Sequence, residues 1–164
     1  MTNDALRATA LDWIAANEAR MSAFNARIWS HAEPAWREYK SARDYVDLLR
    51  AEGWSVEEGS GGMPTAFVAT WGQGQPVLAG FSEYDAVPGN SQQVVPYPAP
   101  RAGLHPYTAG HTDPHSMLGT ASLTAMLAAQ AAMKAHGVAG TLKLFGEPAE
   151  KVCGSKPIHA AKGY

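Results

Sequence analysis

Two imidazoles and a carboxylate fall within five residues in the stretch Gly110-His111-Thr112-Asp113-Pro114-His115-Ser116. Side chains alternate along an extended segment, so Asp113 and His115 can face the same way, with the positive end of a following helix close behind. Imidazole nitrogen and carboxylate oxygen both bind zinc or manganese, and a catalytic site keeps one coordination position open for water. The pair therefore suits a divalent metal. The competing reading is a polar loop whose histidines only cap or hydrogen-bond.

Two further clusters stand at the ends of apolar runs. Gly146-Glu147-Pro148-Ala149-Glu150-Lys151 follows Thr141–Phe145, and a carboxylate leaving a core strand into a partly dry cleft is well placed as a general base, which makes Glu150 the candidate. An ordinary solvated turn is the alternative. In Phe81-Ser82-Glu83-Tyr84-Asp85, the alternating Glu83 and Asp85 can turn to a common site, where one carboxylate would orient a metal-binding histidine.

The elements that must position these clusters follow from periodicity. From Asp4 to about His31, Leu6, Leu11, Ile14, Met21, Phe24 and Ile28 recur at helical spacing, predicting one long amphipathic helix or two. Ser41 opens a second helical run to Ala51, with Ser41 itself as the expected N-cap and Gly53 as the stop. A strand-like segment starts at Trp54. Thr65–Trp71 and Pro76–Ser82 then flank turn residues Gly72 to Gln75, predicting a hairpin. Helix resumes from Ser116 to His136, and Thr141–Phe145 reads as a core strand. Pro88 to Pro114 holds most of the prolines without periodicity, and a long loop between buried elements is more often functional than a linker. The order is that of an α/β layered sheet flanked by helices, where ligands collect at strand ends and helix starts.

Composition narrows the field. The chain has 164 residues, enough for one domain or a piece of a larger one, and its 46% hydrophobic content is enough for a core. Thirteen basic against 15 acidic residues leave a net charge of -2, which offers no footprint for a nucleic-acid backbone or an anionic membrane. No apolar run approaches the roughly 20 residues of a membrane span. The single cysteine, Cys153, cannot form an internal disulfide and reads as a small buried side chain; a cytoplasmic protein is expected.

Together, Pro64–Thr70, Glu83-Tyr-Asp-Ala-Val-Pro-Gly-Asn-Ser-Gln92, Gly110-His-x-Asp-x-His-x-Met-Leu-Gly-Thr-Ala121 and Phe145-Gly-Glu-Pro-Ala-Glu150 resemble the metallo-amidohydrolases and metallopeptidases related to aminoacylase and indoleacetyl-amino-acid hydrolase, nearest to their p-aminobenzoyl-glutamate hydrolase branch. The resemblance runs over nearly the whole chain. It implies the N-terminal part of a zinc-peptidase-like catalytic domain, residues 1–164, with the rest of that domain and its dimerisation and lid domain absent. It also implies a hydrolase of carbon–nitrogen bonds acting on a small molecule, most often an N-acyl amino acid, and homo-oligomeric when full length. Hydrolytic deamination of an aryl amine, or a fragment without activity, are the alternatives.

Residue by residue, the resemblance implies that Asp113 and His115 are metal ligands, Asp113 standing where this branch usually has a bridging cysteine. His111 corresponds to a motif histidine that supports the site without direct ligation. Glu150 falls on the general base. Lys151 falls on a glutamate that is normally a metal ligand, and an ammonium has only donors. At an effective dielectric near 20, two unit charges ~4 Å apart repel by about 4 kcal/mol and a divalent ion doubles that, so a single ion, zinc or manganese, is expected per site. Glu83 and Glu147 are the carboxylates that could restore the lost ligand.

Overall fold

In the computed structural model, which describes residues 2–164, the chain runs α1 (Asn3–His31), α2 (Tyr39–Ala51), β1 (Ser55–Glu58), β2 (Phe67–Gln73), β3 (Val77–Glu83), α3 (His115–His136), β4 (Gly140–Glu147) and α4 (Ser155–Ala161). Short 3-10 turns at Ser60–Gly62 and Glu150–Val152 complete it. The α/β layered arrangement expected from the sequence is borne out.

Helix α1 is one uninterrupted helix of 29 residues. Only its second half is core: Met21, Phe24 and Ile28 are buried, whereas Leu11 and Ile14 of the same periodic set are 53% and 37% exposed. Helix α2 begins earlier than expected, and Ser41 is not its cap. The Glu33 carboxylate accepts the N–H groups of Lys40 (3.0 Å) and Ser41 (2.9 Å) and the Ser41 hydroxyl (2.9 Å). A carboxylate offers two acceptor oxygens to the orphan donors of a first turn where a serine offers one.

The sheet order is β1-β2-β4-β3, which overturns the expected hairpin between β2 and β3. Strand β4 lies between them, antiparallel to β2 and parallel to β3, with Glu83 opposite Glu147 at one end of the parallel pair. Its Leu142 and Leu144 are almost fully buried, so β4 gains most from the centre of the sheet. The short turn stays compatible because the β4 entrance docks on it: Thr141 donates its N–H to the Pro76 carbonyl (2.9 Å) and its hydroxyl to the Gly74 carbonyl (2.8 Å).

One face of the sheet carries the core, where Phe24, Ile28, Tyr45, Leu49, Leu123 and Leu127 from α1, α2 and α3 meet Phe67, Ala69, Leu142 and Leu144. At the opposite face, Phe145 meets His159 of α4 with ring centroids 5.8 Å apart. Gly119 brings α3 against the end of β3: a Cβ there would strike the Glu83 carbonyl and lie 2.5 Å from the Tyr45 hydroxyl. The start of α3 is thereby set beside Glu83. No helix among the described residues is long and apolar enough to cross a membrane.

Candidate metal centre

Three chain segments converge at the carboxyl ends of the parallel strands β3 and β4, where open α/β sheets collect ligands. Glu83 ends β3 and Asp85 follows it; His115 opens α3; Glu150 and Lys151 lie in the turn after β4. Asp85 is completely buried and joins the other two segments. Its Oδ1 lies 2.7 Å from His115 Nδ1, and its Oδ2 accepts the Lys151 backbone N–H at 3.0 Å. Burial alone would raise the Asp85 carboxyl, but the hydrogen bonds from His115 and Lys151 outweigh it and hold it below the ordinary carboxylate range.

With Nδ1 on a carboxylate, His115 turns Nε2 into the site. Around that nitrogen lie Lys151 Nζ at 3.0 Å, Glu83 Oε2 at 3.4 Å and Glu150 Oε2 at 3.5 Å. Burial disfavours the charged ring, yet its bond to Asp85 and the Asp85 charge raise His115 above the usual histidine value. The Lys151 ammonium also bonds the Asp113 carboxylate and stands 3.7 Å from Glu150 Oε2. Its hydrogen bond draws Asp113 below the ordinary range. Glu83 is bonded through Oε1 to Lys156, whose ammonium sits 4.6 Å over the Phe81 ring.

Six of the seven residues selected from the sequence therefore meet: Glu83, Asp85, Asp113, His115, Glu150 and Lys151. His111 stands apart. It is buried, its ring approaches the Ile28 carbonyl without completing a hydrogen bond at either nitrogen, and burial pushes it down to about 4. Glu147 lies outside this group, its Oε1 2.8 Å from His159 Nδ1. Cys153 is exposed, against expectation, in the left-handed turn that follows Glu150–Val152. A polar turn held at the surface by Ala149 and Gly154 leaves it no core to enter.

Two polar arrangements had no signal in the sequence. Glu38, fully buried before α2, accepts the N–H groups of Ala149 (2.8 Å) and Trp36 (3.0 Å) and the Thr65 hydroxyl (2.9 Å). It thus fixes the residue just before Glu150. Buried Ser60, His159 and Glu147 form a chain of two 2.8 Å contacts. Ser60 is 1% exposed, so its hydroxyl meets no substrate and the chain ties α4 to the sheet. Neither arrangement is periodic, and each joins residues far apart in the sequence.

An acidic, histidine-bearing cluster thus stands at the strand ends of an α/β sheet, and the solved structures that the chain matches share that fold. A protein of methicillin resistant Staphylococcus aureus assigned as an aminohydrolase superposes with a TM-score of 0.74 at 22% identity, covering 99% of this chain and 39% of that one. The Bacillus subtilis YXEP protein, a dinuclear metal binding peptidase from the M20 family, superposes at 0.68 with 19% identity, covering 91% and 40%. In sequence, the chain is 34% identical over 152 residues to one of the subunits of p-aminobenzoyl-glutamate hydrolase from Escherichia coli K12, covering 93% of this chain. It spans 31% of that relative's length. No family model matches the chain. The resemblance carried by the four motifs is borne out by this likeness.

Proposed function

We propose that the chain forms part of the catalytic unit of a metal-dependent hydrolase that cleaves a carbon–nitrogen bond, with the amide of an N-aroyl amino acid such as p-aminobenzoyl-glutamate as substrate. The observation that carries this reading is His115, pinned through Nδ1 on buried Asp85 and presenting Nε2 to Glu150, Glu83 and the ammonium held on Asp113. The relative's name supplies the substrate class, and its designation as a subunit supports an assembled enzyme.

The donors fit a divalent cation. An imidazole nitrogen with its other nitrogen locked on a carboxylate is the usual outer support of a metal-binding histidine. Asp113, half exposed and ion-paired with Lys151, would turn from that ammonium toward a cation at Nε2. Among the described residues no three His, Cys, Asp or Glu side chains are grouped so as to hold a metal ion, and Asp113 and His115 would supply only part of a coordination shell. Zinc or manganese held there would polarise the scissile carbonyl and acidify the attacking water. Glu150, partly exposed beside His115, would take a proton from the attacking water and return it to the departing amine nitrogen.

The test is release of p-aminobenzoate from p-aminobenzoyl-glutamate by the protein as its gene encodes it, before and after chelation. Turnover is expected to vanish with chelator and return with manganese or zinc. Undiminished turnover after complete metal removal would overturn the reading, and release of ammonia from an aryl amine instead of amide cleavage would move it to deamination.

Asp85→Asn should weaken divalent-ion affinity by roughly 10- to 100-fold. The amide leaves one acceptor for two donors, His115 Nδ1–H and the Lys151 N–H, and a ring that loses its partner can carry its proton on Nε2. Competition with a chelating dye measures it, and an unchanged affinity would show that the Asp85 bond does not set the ligand.

A further inference from the structure

The centre is crowded with charge whose balance is informative. Four carboxylates, Glu83, Asp85, Asp113 and Glu150, surround His115 directly or through Lys151. Two ammoniums answer them, Lys151 on Asp113 and Lys156 on Glu83. Counting the carboxylates and ammoniums alone, four against two leave two negative charges, the charge of one divalent cation. A glutamate in place of Lys151 would leave four, the charge of two. Lys151 is no loose surface lysine: its side chain is 18% exposed, its backbone N–H is held by Asp85, and its ammonium spans Asp113 and His115 Nε2.

We propose that Lys151 is a tethered cation of this centre. It neutralises Asp113 while no metal is bound. When one divalent ion enters at Asp113 and His115, the ammonium moves toward Glu150, already 3.7 Å away, and holds the place of a second ion. The centre is therefore mononuclear. Lys156 is engaged elsewhere, on Glu83 Oε1 and over the Phe81 ring. This inference rests on the metal-dependent reading above and adds the ion count and its cause.

Equilibrium dialysis of the full-length protein against Mn²⁺, with elemental analysis and thermal unfolding of every variant, is the experiment. Wild type should hold one equivalent, Lys151→Glu two. Lys151→Met, which removes the competing charge without adding a ligand, should hold one equivalent roughly five- to tenfold more tightly, and it carries the test if the glutamate variant fails to fold. Two tightly held equivalents in wild type would overturn the inference and leave the metal-dependent reading standing. An affinity unchanged in the methionine variant, or no gain in a folded glutamate variant, would overturn it as well. No ion in any folded variant would overturn both.

Discussion

Replacing Glu150 by Gln is expected to lower turnover about 10²-fold or more while leaving bound metal almost unchanged. The glutamine keeps the length, the planar end and the position in the turn after β4, and loses only the capacity to accept a proton. Glu150 is suited to that capacity by place. It is 39% exposed, it makes no bond to Asp85 itself, the Lys151 ammonium stands 3.7 Å away, and its Oε2 lies 3.5 Å from the nitrogen at which the cation is proposed to bind. A carboxylate committed to a structural bond, such as Asp85, could not leave it to carry a proton. Turnover of the purified variant at saturating metal and substrate checks the effect, and chelator competition checks the ion. Unaltered turnover would exclude Glu150 as the base. A fall in turnover matched by an equal loss of metal would make it a ligand instead.

The site was legible where its residues lie at the ends of strongly patterned elements. Glu83, Asp85, Asp113 and His115 each occupy a boundary between an apolar run and a loop, and alternation is enough to predict that neighbours two apart share a side. Lys151 stood out only because the resemblance placed a carboxylate there. Where it would reach depended on β4 lying beside β3. That pairing was hidden, because the short turn after Gln73 looks like any hairpin turn, and only the burial of Leu142 and Leu144 decides that a strand about 70 residues later comes between. Glu38 and His159 were invisible for a different reason. A lone buried polar residue leaves no period, and its partners, Ala149, Thr65 and Ser60, become neighbours only once the sheet has closed.

The path from sheet to candidate site also explains why these side chains meet where they do. Gly119 lets α3 approach the Glu83 carbonyl, Asp85 binds the first residue of α3 and the backbone of Lys151, and Glu38 holds Ala149 from the far side of the same turn. The catalytic candidate thus hangs between two buried carboxylates, each satisfied by backbone and side-chain donors. Such an arrangement holds a partly exposed side chain within a narrow range of positions without burying it, as a proton carrier requires.

Glu38→Ala is accordingly expected to destabilise the protein by about 3–5 kcal/mol, since it strands the Ala149 N–H, the Trp36 N–H and the Thr65 hydroxyl in a buried place at roughly 1–3 kcal/mol each, partly relieved by water. Glu38→Gln should cost far less, because the amide oxygen can still accept the two backbone donors and the Thr65 hydroxyl can turn to accept from the amide nitrogen. The two variants also differ in pH dependence. Burial raises the Glu38 carboxyl above its ordinary value against the pull of its hydrogen bonds. The folded chain therefore binds a proton there that the unfolded chain has already lost, and the contribution of Glu38 to stability is fully present below the unfolded value and declines as pH rises through the raised folded one. Denaturant midpoints of wild type should show that decline across the mildly acidic window, and Glu38→Gln, which cannot titrate, should lack it. If the alanine variant is as stable as wild type, or the glutamine variant keeps the same acid-side slope, Glu38 is not what fixes the turn that carries Glu150.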